Sequence, residues 1–432
     1  MEVIAEETTD PIFRGFGPSI LAQQTRGRLQ RLALPVDRMD CRSLLHDLCP
    51  LCPGVYAWLD TNQQICYVGK SKSLRKRLLS YFAKNPAEKK VERIRQTSRT
   101  LVWEPMSDEL LALIREQELI NRWRPEFNTQ GQPVKRQPAF IVITGGIAPK
   151  ASFTRRIPYN AQQVYGPISG TGRLRAAVES VNQIFRLRDC PDKTGFEFSD
   201  QLHLFENPLV TKCIRFEIGS CPAPCAARCS QAEYGNSVQA AIDFIEGKDH
   251  NTLLDLAADM QEAAAACSFE KAAVLRDHLA NLKWLDRRMQ ALRHAKKTFN
   301  GVLPIAARKN RIAWLVLKEG RLLGSAAEPT DAKRAQAAAD YLKASNRKQG
   351  GLPDSIMDMN LQMILISWFR KHKQTTGLLV SFEDAIEVCR QRIAGNPLSK
   401  VSSFQIAAEP QKLAAETKAG YKVASPQRGL RR

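Results

Sequence analysis

Gly54-Val-Tyr-Ala-Trp-Leu59, Asp60-Thr-Asn-Gln63 and Gln64-Ile-Cys-Tyr-Val-Gly-Lys70 together decide the fold. The first stretch is strand-like, the second supplies turn chemistry and the third returns, which predicts a β-hairpin. Beyond Gly69 the period changes. Leu74, Leu78 and Leu79 stand among basic residues at helical spacing, in a helix that ends near Phe82. A second helix is predicted over 108–122, with Leu110, Leu111, Ile114, Leu119 and Ile120 on its apolar side and Pro125 as its stop. Residues 44–130 therefore read as one small mixed αβ domain.

Working outward, residues 1–43, with Gly15, Gly17 and Pro18, read as an N-terminal extension. A cysteine-rich αβ middle region spans 138–235: strand Ala139–Thr144, then Val164-Tyr-Gly-Pro167, then a helix from Gly172 to Phe185. Residues 236–295 are helical. A helix over 252–265 and another after the N-cap Ser268 form an antiparallel pair, and Ala272, Leu275, Leu279, Leu282, Leu285 and Met289 make its apolar seam. Within 300–392 we expect a hairpin turning at Glu319-Gly320, an Ala/Lys/Gln-rich connector and a helix over 356–372. Residues 393–432 form a basic tail of disordered composition. The fold class is α+β and multidomain.

The 432 residues carry 64 Lys+Arg against 44 Asp+Glu, a net charge of +20, which calls for an anionic partner such as nucleic acid. No apolar stretch approaches the roughly 20 residues of a membrane span, and the start, MEVIAEETTDPIF, is acidic where a signal peptide is basic. We therefore expect a cytoplasmic protein with no membrane partner. The charge is localised. Between Lys70 and Arg99 eleven Lys/Arg face only Glu88 and Glu92, a local +9, and the last 37 residues carry +5. Lys72, Arg75 and Lys76 are the candidate DNA-backbone contacts of the first stretch.

Of eleven cysteines, Cys190, Cys213, Cys221, Cys225 and Cys229 fall within forty residues, which favours a metal or cluster site over a disulfide framework. Four thiolates suit either zinc or an iron–sulfur cluster. Cys49-Pro-Leu-Cys52, with Cys41 upstream, is a lone CxxC that we read as structural, and the six histidines are scattered.

The hairpin places Tyr56 and Tyr67 on neighbouring strands, and Gly69 permits a tight exit into a helix whose start can approach a phosphate. Arg77, Tyr81, Glu116 and Asn128 follow in order. Phosphodiester hydrolysis needs an activated water, a cation at the phosphate and a donor for the developing charge. A lone helical carboxylate can hold one divalent ion that keeps most of its waters. Glu118 is the rival to Glu116, two residues away and so on another helix face.

The order Gly54-Val-Tyr56, Tyr67-Val-Gly-Lys70, Arg77, Tyr81, Glu116 and Arg124-Pro-Glu-Phe-Asn128 resembles the GIY-YIG nucleases. Val164-Tyr-Gly-Pro-Ile168, Ile184-Phe-Arg-Leu-Arg-Asp-Cys190, Cys213-Ile-Arg-Phe-Glu-Ile-Gly-Ser-Cys-Pro-Ala-Pro-Cys225 and Phe269-Glu-Lys-Ala-Ala-Val-Leu-Arg-Asp277 resemble the N-terminal half of the UvrC family. The resemblance implies a metal-dependent DNA endonuclease of nucleotide excision repair that makes the 3′-side incision in damaged double-stranded DNA together with UvrB, in the UvrA–UvrB pathway. Tyr67 would be general base, with Tyr56 helping to place the metal-bound water. Glu116 would ligate Mg²⁺ or Mn²⁺, Arg77 and Lys70 would hold the phosphate, and Tyr81 and Asn128 would position parts of the site. Cys190, Cys213, Cys221 and Cys225 match a pattern associated with a [4Fe–4S] cluster. Phe269, Glu270, Ala273, Arg276 and Asp277 fall in a UVR-like motif, the part that meets UvrB. The family's second, RNase H-like nuclease and helix-hairpin-helix repeats have no counterpart after residue 390, so a Cho-like form with one nuclease centre is expected. The alternatives are a structure-selective endonuclease on branched DNA without UvrB, and a non-catalytic adaptor for DNA and UvrB.

Overall fold

The computed structural model describes residues 13–34, 38–83, 89–129, 138–191, 193–200, 213–309, 311–348, 351–353 and 355–395. The first unit contains β1 (Gln30–Ala33), α1 (Arg38–Leu48), β2 (Gly54–Leu59), β3 (Ile65–Ser71), α2 (Leu74–Tyr81), α3 (Lys89–Thr97), β4 (Thr100–Pro105), α4 (Glu109–Trp123) and α5 (Glu126–Thr129). Its antiparallel sheet has the order β1-β4-β2-β3. Strand β2 is buried along its whole length, and its period of two sorts the side chains onto two cores. Val55, Ala57 and Leu59 join α4, while Tyr56 and Trp58 join α1 and α2.

Helix α4 is held by charge as well as by apolar contact. Asp108 caps it by accepting the Leu110 N–H, and Arg124 at φ 43 ends it before Pro125. Arg115 is fully buried. Its Nε donates to Glu104 on β4 at 3.0 Å and its Nη1 to Glu118 at 2.8 Å, while the carbonyls of Pro18 and Gly17 take further bonds. Glu118 also accepts from Ser19 Oγ and the Ile20 N–H. Residues 13–34 are thus part of the domain and not a separate extension ending at 43. Phe13, Phe16 and Leu21 enter the α4 core, and β1 extends the sheet.

The middle of the chain has β5 (Ala139–Thr144), β6 (Ala151–Thr154) and β7 (Ala161–Ile168) in the antiparallel order β6-β5-β7, followed by α6 (Thr171–Ile184), the short α7 (Ile214–Glu217) and α8 (Gln231–Glu246). Helices α9 (Thr252–Ala265) and α10 (Phe269–Thr298) form the hairpin of the apolar seam, and Leu279, Leu282, Leu285 and Met289 share a core with β5, α6 and α8.

The last part has three strands where the sequence suggests two: β8 (Gly301–Ala306), β9 (Ile312–Lys318) and β10 (Arg321–Ala327), with Glu319-Gly320 as the β9–β10 turn. The expected connector is α11 (Ala332–Arg347); its alanines are buried against β9. Helix α12 (Ile356–Lys371) lies as expected, followed by α13 (Lys373–Thr376) and α14 (Phe382–Ile393). One face of this sheet packs on α11 and α14, and residues of the other face share the α4 core with Leu361, Leu365 and Phe369 of α12. The basic tail from 396, and Lys84 and Glu88 of the basic stretch, lie outside the described residues. No helix among the described residues is long and apolar enough to cross a membrane.

Arg115→Ala would leave Glu104 and Glu118 buried without their cation, and should cost about 3–5 kcal/mol, read as a lower urea midpoint with an unchanged m-value.

Candidate active site

The two phenols of the hairpin meet as the strand register requires. Tyr56 stands opposite Gly69, and a Cβ on Gly69 would lie 2.6 Å from the Tyr56 ring. This close approach is why residue 69 is glycine. The tight exit expected there does not exist, because β3 runs on to Ser71. Nor can the start of α2 receive a phosphate on its first amides, since Leu74 N–H donates to Cys52 O and Arg75 N–H to Pro50 O. The Cys49-Pro-Leu-Cys52 loop is thus the N-terminal cap of α2. Arg75 donates its Nε to Cys49 O at 2.5 Å, which ties it to the same loop. Burial pushes the Cys49 thiol up to about 12, in line with a structural cysteine.

Tyr56 and Tyr81 are each only 1% exposed, and their hydroxyls are 2.9 Å apart. Arg77 Nε donates to Tyr56 Oη at 3.2 Å, and its guanidinium carbon lies 5.1 Å from the Tyr81 ring centroid. Burial, with Tyr67 adding and Arg77 opposing, pushes the Tyr56 phenol far up; burial and then Tyr56 do the same to Tyr81. Both phenols are therefore held protonated at neutral pH. Tyr67, half-buried, has its ring 6.2 Å from that of Tyr56, with the Lys90 ammonium 5.1 Å from its centroid. Among the described residues Arg77 forms no hydrogen bond through its terminal nitrogens, which leaves them for an anion.

Glu116 lies on α4 and meets the hairpin at β3. Its Oε1 accepts the Lys70 N–H at 2.9 Å, and burial drives the carboxyl up to about 7 against the opposing pull of that bond and of the Lys70 charge. Glu118, on the other face of α4, belongs to the Arg115 cluster. The Lys70 ammonium has a carboxylate partner. It is bound to Glu109 at 2.9 Å, as is that of Lys72. Burial opposes the charge on Glu109, but hydrogen bonds from Lys72 and Lys70 together hold it below the usual carboxylate range. The sequence reading missed Glu109. Its spacing of seven from Glu116, two turns along one face of α4, was the available signal.

Asn128 works on the backbone. Its Oδ1 accepts Val68 N–H at 2.7 Å and its Nδ2 donates to Val68 O at 2.8 Å. Because β3 is an edge strand, this side chain replaces a missing neighbour and sets the height of Tyr67 and Gly69. Helix α3 closes the same side, with Arg93 over the Phe127 ring at 5.4 Å. Lys76 is exposed.

A one-carboxylate metal site suits these residues. Among the described residues no ammonium or guanidinium is bonded to the half-buried Glu116, and a hard divalent ion would supply the positive charge its surroundings lack while keeping most of its waters. The cysteines differ. Cys190 and Cys213 lie within electrostatic reach of Cys221, and Cys221 and Cys225 within that of Cys229. Yet no group of three or more His, Cys, Asp or Glu among the described residues is set to hold a metal. Burial raises the Cys221 thiol, and the Cys190 sulfur accepts from Arg188 at 3.7 Å. The four-thiolate zinc or [4Fe–4S] site expected from Cys190, Cys213, Cys221 and Cys225 is not assembled. Spacing put these residues in one neighbourhood without turning their sulfurs to one point.

Of the expected UVR-like residues, Phe269 is 68% exposed at the start of α10, and Arg276 pairs with Asp277 on the solvent side. Glu270 lies in the first turn and Ala273 is half-buried.

The sign of the Glu116 shift sets a stability profile. Its folded value, about 7, lies above the ordinary glutamate value of 4.5, so the fold binds a proton that the unfolded chain has lost. In chelator, stability should fall by about 3 kcal/mol as pH rises from near 4.5 to 7 and level off above. Glu116→Gln should remove that slope, as read by urea midpoints across the range.

Two family models match: a UvrC-like GIY-YIG domain over residues 52–129 and a UvrC/Cho excinuclease middle domain over residues 139–244. UvrABC system protein C of Alcanivorax borkumensis is 33% identical over 290 residues, covering 65% of this chain and 44% of the relative. That of Carboxydothermus hydrogenoformans is 33% identical over 280 residues, covering 64% and 44%. The chain therefore spans under half the length of these relatives. The solved magnesium-bound GIY-YIG N-terminal endonuclease domain of UvrC from Thermotoga maritima is 36% identical, with 21% of this chain and 97% of that one covered and a TM-score of 0.19. A UvrC-like GIY-YIG domain and a UvrC/Cho-like middle domain thus stand in succession over residues 52–244 of this chain.

Proposed function

We propose that this protein is a metal-dependent DNA endonuclease of nucleotide excision repair, making the 3′-side incision at damaged DNA together with UvrB. The observation that carries the reading is Glu116, a half-buried carboxylate that accepts the Lys70 N–H of β3 and, among the described residues, bonds no side-chain cation, while Tyr56 of the same hairpin meets Tyr81 and Arg77. When bound there, Mg²⁺ or Mn²⁺ would supply Lewis-acid stabilisation of charge developing on the phosphate.

The remaining roles follow from burial. Tyr67, half-buried where Tyr56 and Tyr81 are buried, is the general base for the attacking water. Tyr56 accepts from Arg77 Nε and the Tyr81 ring lies against its guanidinium, which fixes Arg77 so that its terminal nitrogens hold the phosphate. Lys70 contributes its backbone N–H and long-range charge rather than direct contact, because Glu109 holds its ammonium. Asn128 positions Tyr67 through the β3 backbone. Residues 44–130, with the segment 13–34 packed into their core, are the nuclease domain, 138–235 the middle region and 236–295 a UVR-like hairpin for UvrB. The exposed Leu254, Phe269 and Val274 on that hairpin favour a partner over a closed intramolecular bundle.

The chain, incubated with UvrA, UvrB, ATP, Mg²⁺ and a lesion-bearing duplex, should nick on the 3′ side. Tyr67→Phe and Glu116→Gln should each slow nicking by about 10²–10⁴-fold; full activity in either refutes the mechanism. Binding without nicking in the wild type would make the chain an adaptor. Flap cleavage without UvrB, indifferent to changes at Phe269 and Arg276, would make it a structure-selective nuclease.

A further inference from the structure

Helix α6 starts against α10. Gly170, its N-cap, lies on the Trp284 indole so closely that a Cβ there would stand 3.4 Å from the ring. Arg173 of α6 and Arg288 of α10 each place the guanidinium carbon 5.5 Å from the Trp284 centroid. Arg288 and Arg370, the latter near the end of α12, line a cavity of about 280 Å³ with Ser169 and Ser367. With Arg287, four arginines thus converge where α6, α10 and α12 meet. Burial and then repulsion from Arg370, Arg173 and Arg287 hold Arg288 below the usual guanidinium range. Among the described residues none of the four pairs with a carboxylate.

Like charges gathered without a counter-charge cost the fold energy that a bound polyanion recovers. Guanidinium groups ordered on an indole are also set for phosphate, whose oxygens they can take in pairs. Arg173, Arg287 and Arg370 are exposed and Arg288 is half-buried, so the cations line an open path rather than a closed cage. We propose that this cleft binds the phosphodiester backbone of a nucleic-acid strand, at a site that shares no residue with the nuclease centre. The choice of nucleic acid over free phosphate rests on the reading of the chain as a DNA nuclease.

The test is anisotropy of a labelled duplex with the full chain, in chelator, across a salt series. The double variant Arg288→Gln/Arg370→Gln should lower the slope of log affinity against log salt by about 0.9 for each phosphate no longer neutralised, roughly 1.8 in all. Arg288→Lys/Arg370→Lys should keep most of the slope. The glutamine variant should melt no lower than wild type, since repulsion has been relieved. An unchanged slope in the glutamine variant overturns the proposal. If that slope is unchanged while inorganic phosphate raises the Tm of wild type and not of the variant, the site takes free phosphate and the nucleic-acid assignment falls. Binding is read without cleavage, so a chain that binds with this slope and never cuts would sink the nuclease reading and leave the cleft standing.

Discussion

Arg115 lies on α4 with no solvent exposure, and everything about the candidate site depends on where α4 sits. Its guanidinium joins Glu104 of β4, Glu118 of its own helix and the carbonyls of Gly17 and Pro18, so sheet, helix and N-terminal segment are locked by one cation. Such a cluster tolerates few alternatives, because a misplaced helix would leave buried charge unpaired. Residues 115 and 118 point into it, and a helix turning about 100° per residue must then aim residue 116 elsewhere. That direction is the Lys70 N–H on β3.

The other side of the centre is set by close packing. Gly69 gives the Tyr56 ring its place on the sheet, Tyr81 and Arg77 meet the Tyr56 hydroxyl, and Asn128 holds the edge strand at Val68. Burial then sets two of the three phenols, Tyr56 and Tyr81, apart from the half-buried Tyr67. Among the described residues Glu116 bonds no side-chain cation, while Glu109, two turns earlier, has two ammonium groups.

The C-terminal strands and α12 also belong to this arrangement. Leu303, Leu315, Leu361 and Phe369 share the core that backs α4, so the part of the chain with the least distinctive sequence supports the helix that carries Glu116. On its other side, α12 ends beside α10 and brings Arg370 to the arginine cluster.

The hairpin, α2, α4, α6, α10 and α12 were legible because each has a strong period or turn signal. Strand β4 was not, although it sits between β1 and β2, because Thr100–Pro105 is buried on both faces and shows no clean alternation. Helix α11 hid in an alanine-rich run, and β6 is only four residues long. By itself the sequence named the candidate residues and their order, since motif spacing and helical period are local properties of the chain. It separated Glu116 from Glu118 by helix face and placed the positive charge beside the hairpin. Only the tertiary structure decided what each group is free to do. It gave Lys70 and Lys72 to Glu109, turned the CxxC loop into a helix cap, fixed Asn128 on a strand edge and left the cysteine sulfurs unconverged. The reason is physical: partners and burial are set by residues far apart in the chain, and protonation and availability follow from partners and burial.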